Sequence, residues 1–244
     1  MARLDLRRHD RPTRPSRWPF GGRVPREDRS RRRLCGMAQA MTRSPWAREY
    51  VRKPNEYIWG LAPSQFAREV RALLPPGARV LELGCGEGRD SVYFASCGCD
   101  VTGVDVSAAG LHKAERLARA HGVKVRWLRG DAAHDVPAGP FDLVYSCGAI
   151  HYIPRRPRAR LFPRLKARTR PGGWHAHVVF TDRAVYVEKG ERIDYFTEGE
   201  LTRAYGDWLL LRCEPMLIAC AQDGIPHRHS VEQFIARAVG SSRR

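Results

Sequence analysis

Residues 80–88 read VLELGCGEG, an apolar run that passes directly into three glycines at alternate positions. The apolar run predicts a buried strand, and the glycines predict a tight turn at its end. Val92 and Phe94 then indicate a helix that Gly98 ends. A glycine turn between a strand and a helix brings bare backbone close to a ligand, so this stretch predicts the first unit of a ligand-binding α/β sheet.

The alternation of strands and helices continues along the chain. Ser64 precedes apolar residues at helical spacing up to Leu74, and Ser107 precedes a second such pattern that Gly122 ends. A further helix is predicted over residues 155–169. The predicted strands cover residues 79–83, 100–105, 123–128, 141–146 and 174–180. This order predicts an α/β fold, a doubly wound parallel sheet with helices on both faces.

Length and composition exclude several classes of protein. The 244 residues, 43% of them hydrophobic, suffice for a sizeable core. No apolar run approaches the roughly 18–20 residues that cross a bilayer, so we expect no membrane span. The seven cysteines show neither a zinc-finger spacing nor an even disulfide framework, which favours reduced thiols and a cytoplasmic location.

The net charge of +17 is unevenly distributed. Residues 1–36 hold 12 arginines and 4 acidic residues, a balance of +8, and the rest of the chain carries +9. Because charge, proline and glycine dominate the start, residues 1–40 are predicted to be a disordered Arg-rich extension or an artefact of the start site. Residues 41–63 are predicted to form a helical lid segment, and residues 64–240 the folded domain.

Two aspartates are predicted at the edge of the sheet where ligands bind, the carboxyl ends of the strands. Asp105 ends the second predicted strand, where a carboxylate can accept hydrogen bonds from ribose hydroxyls. Asp131 follows the third, where it can accept one from the amine of adenine. The alternatives are local, because Asp105 can cap the helix near Ser107 and Asp131 can be an ordinary turn residue.

Two nucleoside ligands fit this edge. A nicotinamide dinucleotide requires the pattern G-x-G-x-x-G, but the third glycine, Gly88, comes one residue early and Glu87 would repel a pyrophosphate. Glu82, just before the turn, suits a cationic amino group better than a phosphate. The sequence therefore favours an adenosine that carries an amino acid, which is S-adenosylmethionine.

With these residues in place, the chain resembles class I S-adenosylmethionine-dependent methyltransferases over about residues 64–182. The motifs that carry the resemblance are residues 80–88, 104–105, 130–131, 141–144 and 170–173. The resemblance implies a Rossmann-like seven-stranded sheet with its last strand antiparallel. It also implies S-adenosyl-L-methionine as cofactor and S-adenosyl-L-homocysteine as product. The tail permits this ending, with a helix from residue 196 and strands over 207–214 and 229–236.

The resemblance also implies a set of cofactor contacts along the strand ends. These residues are Glu82, Gly84, Cys85, Gly86, Gly88, Arg89, Asp105, Val106, Asp131, Ala132, Ser146 and Cys147. Residues 88–94, 196–208 and 234–237 are similar to the tellurite-resistance methyltransferases. That subfamily implies a small acceptor, such as a chalcogen oxyanion or a thiol.

Three histidines are candidate catalytic residues. His151 follows the fourth strand and could take a proton near neutral pH, or it could pack against the cofactor or a helix. His227 and His229 share one face of a strand because the side-chain period is two. They are interpreted as a pocket wall with Arg228 or as a surface pair. No third ligand is evident in the sequence, so no metal is predicted.

Aromatic residues before the core are candidates for a lid over the substrate. Tyr50, Tyr57 and Trp59 precede the first predicted helix, and such rings can stack near a sulfonium by cation–π attraction. Tyr152, beside His151, is placed with them and with Arg228 as a substrate contact. The alternative is that the rings pack on the sheet edge.

The predicted function is transfer of a methyl group from S-adenosylmethionine to a small-molecule nucleophile by in-line displacement. An RNA-modifying methyltransferase, suggested by the basic charge, ranks second because no RNA-binding motif is visible. A non-catalytic S-adenosylmethionine-binding protein is the third hypothesis. The expected partner is a small acceptor, without a membrane, in a monomer or a homodimer.

Overall fold

The computed structural model describes residues 44–222 and 224–240, and the predicted extension over residues 1–40 lies outside them. The helices are α1 Trp46–Arg52, α2 Gln65–Arg71, α3 Arg89–Ser96, α4 Ala108–Ala120, α5 Arg155–Lys166 and α6 Glu200–Ala204, with a 3-10 turn at Ile150–Tyr152. The strands are β1 Arg79–Leu83, β2 Asp100–Asp105, β3 Arg126–Arg129, β4 Phe141–Cys147, β5 Thr169–Phe180, β6 Leu209–Cys220 and β7 His227–Arg237.

The seven strands form one sheet in the order β3-β2-β1-β4-β5-β7-β6. The first five in this order are parallel, and β7 runs antiparallel to both β5 and β6. The chain leaves β1 towards β2 on one side and returns to β4 on the other. This reversal opens a crevice at the carboxyl ends of β1 and β4, and the predicted seven-stranded fold with an antiparallel last strand is confirmed.

The sheet has a hydrophobic core on each face because alternate strand residues point to opposite sides. Val80 and Leu143 belong to the core that α2 and α3 cover, whereas Leu81 and Val144 belong to the core that α5 and α6 cover. The predicted cap at Ser64 is confirmed, since its hydroxyl accepts the amide N–H of Ala67 at 3.0 Å. The strands at the switch point are therefore held from both sides.

The main differences from the sequence prediction are the lengths of β5 and β6. The pattern places the start of β5 at Trp174, but the strand begins at Thr169. The pattern places the end of β6 at Glu214, but the strand continues through Pro215 to Cys220. Proline is tolerated there because β6 lies at the edge of the sheet formed by the described residues. Exposed apolar side chains on β6 include Leu209, Leu211 and Leu217.

None of the helices in the described ranges has the length and apolar character that crossing a membrane requires.

Candidate functional site

A cavity of about 740 Å³ opens at the carboxyl ends of β1, β2 and β4. We call one side the loop end; it is formed by residues 82–86, 105–106 and 131–132. We call the other side the hairpin end; it is formed by Glu188, Glu191, residues 218–222 and His229. Asp105 and Asp131, predicted to meet at one crevice, line the same cavity.

The missing side chains of the glycine turn allow neighbouring residues to approach its backbone closely. Gly84 and Gly86 have φ angles of 69° and 52° and line the cavity. A Cβ at Gly84 would lie 2.3 Å from the Cβ of Ala149, and one at Gly86 would lie 2.7 Å from the Tyr50 hydroxyl. Gly88 is packed in the same way, against Ala114 of α4, but it lies outside the cavity lining.

Asp105 ties the glycine turn to the start of α4. Its carboxylate accepts the amide N–H of Gly86 and that of Ser107, each at 2.8 Å. Burial raises the pKa of this carboxyl despite the two bonds. Val106 lies beside it in the cavity wall. The residue therefore makes local bonds and also presents a carboxylate to the cavity.

Asp131 also combines a local turn with a place in the cavity wall. One carboxylate oxygen accepts the amide N–H of Ala133 at 2.9 Å, and the other lies 2.8 Å from His134 Nδ1. Ala132 lines the cavity next to it. The turn role that the sequence left open is present, together with the predicted proximity to Asp105.

Glu82 supplies a third carboxyl group at the loop end. It is buried and accepts a hydrogen bond from the Ser91 hydroxyl. Burial, reinforced by nearby Asp90, raises its pKa to about 8. The side chain is therefore largely neutral at pH 7 until a cation faces it.

Glu87 does not act as the sequence argument supposed. Its carboxylate forms a buried ion pair with Lys113 and accepts the amide N–H of Trp59 at 3.3 Å. Its charge is thus compensated by Lys113, so Glu87 would not repel a pyrophosphate as the sequence predicts. Cys85 and Arg89 both line the cavity, with Arg89 donating to Asp90 at 3.1 Å.

Ser146 and Cys147 point in opposite directions at the end of β4. Cys147 lines the cavity, and burial raises its pKa to about 12, so it stays a thiol. Ser146 is fully buried, lies 3.1 Å from His177 Nδ1 and is outside the cavity lining. Successive residues of a strand point to opposite faces of the sheet. Cys147 therefore reaches the cavity as predicted, whereas Ser146 does not.

His151 is packed in the interior and lies outside the cavity lining. It is fully buried and stacks on Phe180 at 4.2 Å, and its Nδ1 accepts the Phe180 amide N–H at 3.3 Å. Burial lowers its pKa to about 3. These contacts match the packing alternative rather than a base that works near neutral pH.

The aromatic residues form part of the wall. Tyr50, Trp59 and Tyr152 line the cavity, with the Trp59 indole donating to the Tyr50 hydroxyl at 3.0 Å. Tyr57 lies outside this lining and donates its hydroxyl to the Lys113 carbonyl at 2.9 Å. Sequence reasoning missed Glu191, which accepts the Tyr152 hydroxyl at 2.6 Å.

At the hairpin end, His229 lines the cavity, and its Nε2 lies 2.9 Å from Nε2 of His227. Arg228 is exposed, on the other face of β7, so it does not join the histidines. Glu188 and Cys220 lie beside the pair and were missed by the sequence interpretation. They come from separate segments and match no spacing motif.

Comparison with known proteins identifies methyltransferases that are similar to this chain. A family described as a methyltransferase domain matches residues 80–173. An uncharacterized methyltransferase of Mycobacterium bovis is 32% identical over 140 residues, which cover 56% of this chain and 68% of the relative. A trans-aconitate 2-methyltransferase of Deinococcus radiodurans is 39% identical over 116 residues, covering 46% of this chain and 42% of the relative.

The solved structure of TehB from Haemophilus influenzae has the same fold, with a TM-score of 0.63 at 21% identity. The match covers 70% of this chain and 61% of that one. The fold and the glycine turn define a class I α/β methyltransferase, and the chain belongs to the S-adenosylmethionine-dependent methyltransferase family. It spans about half the length of the first curated relatives that it matches.

Proposed function

We propose that this chain transfers a methyl group from S-adenosylmethionine to a small-molecule nucleophile. The main support for the proposal is a single cavity that contains both the loop end and the hairpin end. The loop end contains the glycine turn and the carboxyl groups of Glu82, Asp105 and Asp131. The hairpin end leaves space next to them for an acceptor.

The loop end fits the parts of S-adenosylmethionine in order. Glu82 is suited to the ammonium group, because a cation would favour its ionised form. The Gly84–Gly86 turn lines the cavity and is suited to the amino-acid portion, and the Asp105 carboxylate is suited to the ribose hydroxyls. Asp131 and Ala132 are suited to the adenine edge.

S-adenosylmethionine, when bound, supplies a methyl group on a positively charged sulfur that a nucleophile can displace directly. The chain's contribution is then alignment of the two reactants and exclusion of water. Tyr50, Trp59 and Tyr152 line the cavity and are suited to shielding it from water. The proposal does not include a general base. His151 is buried and its pKa is lowered, and an acceptor that arrives deprotonated does not require a base.

The size of the cavity supports a small acceptor. Its volume of about 740 Å³ lies in the range of small-molecule sites and has to hold the donor as well. The Deinococcus relative is named for trans-aconitate, which is a small molecule. The six described cysteines are free thiols, which supports a cytoplasmic location. Monomer and homodimer are both compatible with this proposal.

Calorimetric titration of the full chain with S-adenosylhomocysteine tests the donor site. We expect Asp105→Ala to weaken binding by about 100-fold, because a carboxylate with two charge-assisted bonds to ribose is worth about 3 kcal/mol. The matched control is Asp100→Ala at the exposed start of the same strand, which should bind like the wild type. Absence of binding to the wild type would contradict the proposal.

The acceptor class is tested with methyl-labelled S-adenosylmethionine. We expect label to appear in low-molecular-weight products when a metabolite extract is supplied. Label in RNA alone would instead favour the RNA-modifying hypothesis.

A further inference from the structure

We propose that Glu188, Cys220, His227 and His229 bind one divalent transition-metal ion of the zinc class. The four side chains offer a carboxylate, a thiolate and two imidazoles. Their candidate ligand atoms all lie within 4.8 Å of one another. Mixed nitrogen, sulfur and oxygen ligands of this kind suit a four-coordinate zinc site.

The separations fit a tetrahedron. With zinc bonds of the usual length, ligand atoms in a tetrahedral site lie roughly 3.3–3.7 Å apart. Glu188 Oε2 lies 3.9 Å from His227 Nε2 and 3.7 Å from His229 Nε2. The Cys220 sulfur lies 3.8 Å from the same carboxylate oxygen, and the two imidazole nitrogens are 2.9 Å apart. These four separations each lie within about half an ångström of the tetrahedral range, and the two sulfur–imidazole separations are at most 4.8 Å.

The imidazoles are held in the orientation that coordination needs. His227 donates its Nδ1–H to the Ile225 carbonyl at 2.7 Å, which directs its Nε2 atom towards the cluster, 2.9 Å from Nε2 of His229. Its ring stacks on Tyr186 at 3.6 Å, and that of His229 stacks on Phe180 at 4.4 Å. A carbonyl that fixes the tautomer is the usual outer support of a metal-bound histidine.

The charges also balance at this position. The side chains of Glu188, His227 and His229 are each at most 5% exposed. A Cys220 thiolate and the Glu188 carboxylate would neutralise a divalent ion, and the thiol proton would leave to solvent. The site has an entry path, since Glu188, Cys220 and His229 line the cavity.

An ion at this place would join the segment before α6 to both strands of the β6–β7 hairpin. It would thereby shape the hairpin end, where the acceptor is proposed to lie. That relation to the acceptor rests on the proposed function, whereas metal binding itself depends only on the four side chains.

Titration of the chelator-treated full chain with Co²⁺ tests the site. We expect one equivalent to bind with the visible bands of tetrahedral Co²⁺ and a near-ultraviolet sulfur-to-cobalt band. Cys220→Ser should lose the sulfur band. The matched control Cys213→Ser, on the same strand and outside the cluster, should keep it. A sulfur band that persists in Cys220→Ser, or no binding by the wild type, would overturn the proposal.

Zn²⁺ affinity gives a second measurement in case one variant folds poorly. We expect His227→Asn and Glu188→Gln each to weaken Zn²⁺ binding by more than about 100-fold, which exceeds the usual cost of losing an outer-shell partner. Unchanged Zn²⁺ affinity in both, with thermal unfolding transitions like the wild type, would count against the site. S-adenosylhomocysteine titration of the same samples separates this result from failure of the proposed function.

Discussion

Asp105 is the last residue of a strand, Gly84 and Gly86 follow one, and Asp131 comes two positions after another. The loop end of the cavity is thus built from residues at strand ends. The hairpin end instead takes Glu188 from a connection, Cys220 from β6 and His229 from β7. The loop end is set by local sequence and the sheet order, whereas the hairpin end depends on how distant segments pack.

This difference implies that the two ends can be disturbed separately. A substitution in the packing that supports the hairpin end should spare donor binding, and a substitution in the glycine turn should not.

The largest difference between the effects on the two ends is expected for a substitution of Arg158. This buried arginine of α5 pairs with Glu200 at 2.7 Å, stacks on Phe196 at 3.7 Å and donates to the Asp194 carbonyl. Arg158→Met should lower the free energy of unfolding by about 3 kcal/mol or more, because Glu200 loses its buried partner. Urea denaturation measures the loss, with exposed Arg160→Met on the same helix as control.

We expect folded Arg158→Met protein to bind S-adenosylhomocysteine within about threefold of the wild type, a change under 1 kcal/mol. A larger loss of affinity would show that the two ends are coupled.

The glycine turn gives the second test. Gly84→Ala combines a strained φ of +69° with a clash against Ala149, so we expect it to lose about 2–5 kcal/mol of stability and most donor affinity. Gly98→Ala has the same strain, at φ +81°, but nothing within 4 Å of its Cβ. It should lose only about 1–2 kcal/mol in thermal or urea unfolding. Equal losses for the two variants would remove the role of the close approach.

Glu82 gives a pH-dependent test of the loop end. Its raised pKa means that it stabilises the folded chain below about pH 4.5, and that this contribution is lost as pH rises through about 8. An ammonium ligand binds the ionised form, so affinity for S-adenosylhomocysteine should rise between pH 6 and 7, by at most about tenfold per pH unit.

The control ligand is 5′-methylthioadenosine, which lacks the ammonium group and should bind with a flat pH profile over this range. Glu82→Gln should abolish the rise for S-adenosylhomocysteine. A rise that persists in Glu82→Gln would assign it to another group.

The histidines behind the cavity give a test in which only stability, and not donor binding, is expected to change. Burial lowers the pKa of His151 and His177 to about 3. Their neutral forms stabilise the fold above about pH 6.5, and this contribution is lost as pH falls towards 3, by about 1 kcal/mol per pH unit for each residue. His151→Phe should reduce the slope of stability against pH by one residue's share. Exposed His121→Gln should leave it unchanged in the same urea titrations.

The fold was predictable because its signals are local. Ser64, the glycine turn and Ser107 mark element boundaries through hydrogen bonds or backbone angles within a few residues. The places of Asp105 and Asp131 followed from the rule that strand ends share one edge. Strands β5 and β6 were both predicted too short, because Pro171 and Pro215 read as strand breakers when their places in the sheet are unknown.

The site was less predictable where a contact crosses the fold. Gly88 and Gly86 look alike in sequence, yet Gly86 lines the cavity, whereas Gly88 packs against Ala114 of α4 and does not. His151 follows the correct strand, but its ring turns into the interior beside Phe180. Cys220 and His227 meet through hairpin pairing, and Glu188 joins them from a loop with no regular pattern.

The outer strand β6 has a consequence for handling this protein. Leu209, Leu211 and Leu217 are each more than half exposed along a sheet margin, with Arg212 and Glu214 between them. An exposed edge strand can form backbone hydrogen bonds with the edge strand of another copy of the chain, and charged side chains on the strand oppose this pairing. High salt screens these charges, so high salt and high protein concentration favour aggregation of this chain. Samples are therefore best kept dilute and at low ionic strength.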